Sequence, residues 1–126
     1  MAKPDGNFSP EVRQIIWERD GYACIICGRY SEQIHHRRPK AKGGTSIAWV
    51  SEVPNGIVLC GSGTTGCHGW VHDHPEQSRS RGWIISPNWT QVTALSESCY
   101  YPVLGVRFFL DEDGAMREAP TDDPNF

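Results

Sequence analysis

Apolar positions in this chain come in short, separated runs, each bounded by Gly, Pro or a polar cluster. Ser9-Pro10-Glu11 reads as a helix start: Ser as N-cap, Pro at the first helical position, an acid in the first turn. Val12, Ile15 and Ile16 recur at helical spacing, so a helix with one apolar face runs to about Arg19 or Asp20, where Asp20-Gly21 stops it. Gln33–His36 predicts a short strand ended by Arg37-Arg38-Pro39, and Ile57-Val58-Leu59 a second one closing at Cys60. Thr64 or Thr65 caps a short helix that carries Cys67, His68, Val71 and His72. Pro75 breaks that helix and starts another, which Gly82 ends. Three further runs, Trp83–Ile85, Gln91–Leu95 and Val103–Leu110, are β-prone, and Asp113-Gly114 is a hairpin turn. The pattern contains no internal repeat and predicts an α+β chain. Its divisions are a lead over residues 1–8, a core over 9–83, a β-rich extension over 84–119 and a polar tail over 120–126.

Composition narrows the class. The 126 residues are 38% hydrophobic, with 13 Gly and nine Pro, so the fold is loop-rich and short of apolar material for its core. No stretch approaches the roughly 20 apolar residues of a spanning helix. The first 25 residues also lack the apolar run of a signal peptide. A cytoplasmic location with no membrane contact is therefore expected, and in that setting five Cys point to metal binding rather than disulfides.

The net charge of −3 argues against a protein that coats nucleic acid. The charge is unevenly spread, however. Residues 1–82 hold ten Lys/Arg against eight Asp/Glu, and residues 83–126 hold two against seven. Over residues 29–42, Arg29, Arg37, Arg38, Lys40 and Lys42 face only Glu32, a local excess able to steer a polyanion.

The cysteines fall into two pairs, Cys24-x2-Cys27 and Cys60-x6-Cys67, separated by 32 residues. Tetrahedral zinc takes four such ligands, and knuckle pairs deliver them two at a time. A structural Zn²⁺ at Cys24, Cys27, Cys60 and Cys67 is expected, with Cys99 left as a buried free thiol. Four of the five histidines lie beside these elements. His35 and His36 are neighbours on a strand and point to opposite faces, so they cannot both ligate one ion. His68 and His72 stand at i and i+4 on one helical face, the spacing for joint capture of an ion.

The segments IHHRRPKAKGG, NGIVLC with Asn55, and CHGWVH together resemble the HNH nuclease signature. They are similar to the small HNH endonucleases of phage genomes, several of which assist genome packaging. The resemblance spans roughly residues 9–83 and implies a ββα-metal core stapled by zinc knuckles. It implies that His35, His68 and His72 hold a catalytic divalent ion, as in colicin-type DNases. It further implies that His36 is the general base and Asn55 the middle Asn of the signature, which pins the loop bearing His36. Ni²⁺, Co²⁺, Mn²⁺, Mg²⁺ or Zn²⁺ would serve as the ion. DNA would be the substrate, and a phage terminase or another packaging protein a partner. Two features depart from the pattern: the loop between His36 and Asn55 is long, and the second cysteine pair is stretched.

The chemistry is coherent with that resemblance. Phosphodiester hydrolysis needs an activated water and a cation at the phosphate, and His36 with three neutral imidazoles provides for both. Arg37, Arg38, Lys40 and Lys42 follow the base directly and are expected to clamp the flanking phosphates. The competing reading is a zinc-ribbon module that binds DNA or protein without catalysis. A metal-dependent RNase or toxin would share the same site.

Overall fold

The computed structural model describes residues 6–40, 45 and 47–120. Helix α1 spans Pro10–Asp20; Ser9 Oγ accepts from the Val12 N–H at 3.1 Å, and Gly21, at φ +68°, closes the helix. The cap and the stop lie where Ser9-Pro10 and Asp20-Gly21 predict them. Strand β1 covers Ile34–His36 and β2 Gly56–Val58; they pair antiparallel with His35 opposite Ile57 and His36 opposite Gly56. The long connection between them carries two 3₁₀ turns, Ala48–Ser51 and Val53–Asn55.

Helix α2 is Gly66–Asp73 and α3 Pro75–Ser80. Thr65 occupies the N-cap of α2, but its hydroxyl accepts from Ser62 N–H instead of capping the helix. The first turn is satisfied from outside: His68 N–H donates to Cys60 O at 3.0 Å and Cys67 N–H to Cys60 Sγ at 3.4 Å. The second sheet is a meander of β3 (Cys99–Tyr101), β4 (Val106–Leu110) and β5 (Met116–Glu118). The protein is thus α+β, with two small sheets. No helix among the described residues is long and apolar enough to cross a membrane.

Three β-prone runs behave differently from expectation. Trp83–Ile85 forms no strand, because its amides are spent on loops: Trp83 N–H donates to Ser78 O and Ile85 N–H to Arg37 O. Gln91–Leu95 is irregular, and Val103–Gly105 is a turn, so that strand starts only at Val106. The Cys99–Tyr101 strand was not among the predicted elements.

Two apolar clusters meet on β2, which is buried on both faces because alternate side chains point opposite ways. Ile57 packs with Cys24, Ile25, Leu59, Val71, Trp83, Cys99, Tyr101 and Leu110. Val58 joins Phe8, Ile16 and Val53, against which the Val12, Ile15 and Trp17 side of α1 packs. The 84–119 extension thereby contributes to the same core as the 9–83 segment. A buried polar hub ties these parts together. Asp20 accepts from Arg19 Nε at 2.8 Å, from Val58 N–H at 3.0 Å and from Tyr101 Oη at 2.6 Å. Arg19 also reaches the carbonyls of Val53 and Gly56. The hub therefore fixes β2, which leads directly into the first cysteine of the second pair.

Candidate metal centre

The two cysteine pairs converge. All four Sγ atoms of Cys24, Cys27, Cys60 and Cys67 lie within 4.8 Å of one another, and none is in a disulfide. Gly28, at φ +80°, turns the first knuckle so that its N–H donates to Cys24 O at 2.9 Å. Cys60 follows β2, and Cys67 opens α2. Burial pushes the Cys24 and Cys67 thiols up, while a hydrogen bond from the Arg29 backbone holds Cys27 below its ordinary value. Four sulfurs about 2.3 Å from a shared tetrahedral ion stand about 3.8 Å apart. Cys27 Sγ and Cys60 Sγ are 3.6 Å apart, so donor set and spacing both fit zinc.

One residue further along α2 a second cluster begins. His35 Nδ1 lies 3.2 Å from His68 Nε2, and one nitrogen of His72 joins them within 4.8 Å. Nitrogens about 2.0–2.1 Å from a common ion stand about 3.4 Å apart, so the pair is already at ligand spacing. The His35 ring meets those of His68 and His72 edge-on, with interplanar angles of 72° and 89°. His35 Nε2 lies 2.7 Å from Trp83 O. A carbonyl only accepts, so Nε2 carries the proton and the Nδ1 lone pair faces the cluster; an outer carbonyl of this kind typically orients a ligating imidazole.

Burial lowers His35 to about 3 and His68 to about 4, helped by the neighbouring imidazoles. Both are therefore neutral at pH 7, the form that ligates. His68 Nδ1 is buried and has no hydrogen-bond partner among the described residues. Three converging imidazoles, two of them held neutral by burial and one with its Nδ1 lone pair turned toward the others, fit a divalent transition ion.

A cleft of about 190 Å³ opens over this cluster, lined by Ile34, His35, His36, Pro39, Lys40, His68 and His72. His36 is half-buried, its ring stacked on Phe8 at 4.1 Å and its Nε2 2.5 Å from Gly6 O. Burial holds its pKa below the ordinary histidine value, and Lys40 lowers it further against the opposing pull of the Gly6 carbonyl. Asn55 is fully buried behind the strand end. Its Oδ1 accepts from Arg38 N–H at 2.8 Å, and its Nδ2 donates to Arg38 O at 3.1 Å and Val50 O at 2.8 Å. Its own carbonyl accepts from Arg37 N–H at 2.7 Å. The backbone that leaves His36 is clamped on both sides.

The basic run divides. Arg37 is corrected: it is fully buried and cannot reach a phosphate. Its guanidinium donates to the carbonyls of Gly82, Pro54, Ala94, Glu97 and Ser98, and so ties the end of β1 to three separate stretches of main chain. Arg38 lies over the Trp49 ring, 5.6 Å from its centroid. Lys40 is exposed at the cleft and bonds Asn7 Oδ1. Lys42 lies outside the described residues. Cys99 is a fully buried free thiol.

Sequence reading missed Gly6, Phe8 and the Trp83 carbonyl, all of which hold site histidines. Backbone carbonyls leave no residue-type signal, and Phe8 reads only as an apolar position before a cap. No family model, curated protein or solved structure matches the chain.

Proposed function

We propose that the protein is a metal-dependent endonuclease of the HNH type, acting on DNA through the cleft over His35, His36, His68 and His72. The observation that carries this reading is the placement of a partly exposed imidazole, His36, in one cleft with three imidazoles converging at ligand spacing. The order of β1, its antiparallel partner β2 and then α2 is the order of a ββα-metal core, and it supports the resemblance of the sequence to that family.

His35, His68 and His72 would hold the divalent ion. When bound, such an ion offers positive charge to the phosphate oxygens and the leaving 3′ oxygen. Among the candidates, an all-imidazole set favours Ni²⁺, Co²⁺, Mn²⁺ or Zn²⁺ over Mg²⁺, a hard cation that prefers oxygen. His36 takes the proton from the attacking water. Its lowered pKa keeps it in the unprotonated form that this task needs at neutral pH. Asn55 acts on His36 through the main chain it clamps, and Lys40, at the cleft mouth, meets the phosphate backbone. Cys24, Cys27, Cys60 and Cys67 would bind a structural Zn²⁺ that anchors the N-terminal end of α2.

The test is nicking of supercoiled plasmid by chelator-treated protein whose thiolate zinc is verified, titrated with each metal in turn. Nicking should appear with micromolar Ni²⁺, Co²⁺ or Mn²⁺ and fall about 10²–10⁴-fold in His36→Ala. Absence of nicking with every metal, or full activity in that variant, would point to the zinc-ribbon binding module instead.

A further inference from the structure

Three consecutive residues ahead of α1 are wrapped around the exit of β1. The Gly6 carbonyl sits 2.5 Å from His36 Nε2, the Asn7 Oδ1 accepts from Lys40 Nζ, and the Phe8 ring stacks on the imidazole, 15° from parallel. Gly6 adopts φ +88°, and a Cβ there would come 2.7 Å from Lys40 Cβ. Only glycine lets the chain approach closely enough to deliver that carbonyl. Phe8 in turn is rooted in the cluster of Ile16, Val53 and Val58, so its ring is held from behind by core packing.

A carbonyl oxygen cannot donate, so Nε2 must carry the imidazole proton. A neutral imidazole has one N–H, which leaves the lone pair on Nδ1. Among the described residues nothing hydrogen-bonds His36 Nδ1, while the stacked Phe8 face restrains rotation of the ring.

We propose that Gly6–Phe8 is a positioning strap that fixes the tautomer and ring orientation of His36, presenting Nδ1 as the proton-accepting atom. The inference rests on the reading of His36 as general base. Gly6 and Phe8 are positioning residues: they act on the reaction only through the ring they hold. Asn55 fixes the main chain of the same strand end from the other side, so backbone and ring of His36 are constrained by different parts of the chain.

The experiment uses the full chain, zinc-loaded, with ¹⁵N-labelled histidine observed by NMR at a pH where His36 is neutral. Gly6→Ala is the primary variant, because its Cβ must push the strap off Lys40 without touching the core. Phe8→Leu keeps an apolar side chain in the cluster and removes the stack. In the parent protein His36 should show one tautomer, protonated at Nε2. In both variants the two ring nitrogens should move toward averaged shifts while the thermal transition and the metal content stay close to the parent values. Nicking should fall about ten- to a hundredfold in kcat with little change in KM, the scale of loss for a misplaced catalytic group. A proton found on Nδ1, ring signals unmoved by Gly6→Ala, or unchanged kcat despite shifted signals would each overturn the proposal. A parent protein that never nicks overturns the nuclease reading, and the ring signals still decide separately whether the strap sets the tautomer.

Discussion

Arg37→Met tests how this structure disposes of a buried cation. The substitution keeps an unbranched apolar stem and deletes a guanidinium that makes five bonds to carbonyls, four of them between 2.7 and 3.1 Å. A hydrogen bond to a charged group contributes about 1.5–3 kcal/mol. Four good ones therefore offer roughly 6–12 kcal/mol before costs. Against this stands the desolvation of a guanidinium with no carboxylate among its bonded partners, several kcal/mol after relaxation. Burial pulls its pKa below the ordinary arginine value, in keeping with that cost. The balance is about 3–5 kcal/mol in favour of the wild-type side chain, since methionine leaves those main-chain oxygens unpaired at about 1–3 kcal/mol each. For a chain of this size that lowers Tm by about 10–20 °C. The assay is thermal unfolding by circular dichroism in excess zinc, with Arg38→Ala as the partner variant expected to move Tm by about 2 °C or less. If Arg37→Met melts with the parent yet loses DNA affinity, with a salt slope smaller by about one phosphate, the guanidinium faces solvent and the burial argument fails.

Removal of a knuckle thiolate by Cys27→Ser should abolish the cooperative transition, since structural zinc contributes about 10–16 kcal/mol against a typical total stability of about 5–15; a retained transition with one zinc lost would contradict the assignment. His68→Ala and His72→Ala should each reduce bound metal from two equivalents to one per chain, read by elemental analysis after desalting, with the melting curve largely retained. Gly82→Ala should cost more than about 2 kcal/mol in denaturant titration. Gly82 adopts φ +79°, and a Cβ there would run into the carbonyl of Ser98; a melt matching the parent would show that the 94–98 loop yields freely.

Where local chemistry decides the conformation, the chain could be read directly. Ser9-Pro10 and Gly21 bound α1 because caps and stops act on adjacent residues, and Cys24-x2-Cys27 closes a knuckle within a single turn. The pairing of His68 with His72 was legible from their helical spacing. The choice of His35 over His36 as their partner came only from the resemblance to the HNH signature, because strand alternation separates the two without saying which of them faces the helix. The β-prone runs failed for a different reason. Trp83–Ile85 has the composition of a strand, but its amides meet Ser78 and Arg37 rather than a neighbouring edge, and no local pattern encodes that. Arg37 misled for the same cause: its partners are main-chain oxygens, which every residue carries, so a buried anchor and a phosphate clamp look alike in one dimension.

The adjacency of Cys67 and His68 at the start of α2 makes the two clusters thermodynamic neighbours. Ordering the first turn of that helix serves both, so an ion that fixes the thiolates spares the imidazoles part of their conformational entropy loss. Coupling of this kind is reciprocal: whatever factor the first ion adds to the affinity of the second, the second returns to the first. Loading would then be sequential in a cell where metals are scarce, with the sulfur site filled before the nitrogen site reaches its full grip. A chain that had failed to acquire its first ion would also be poor at holding the second, which would make occupancy of the nitrogen site a mark of complete folding.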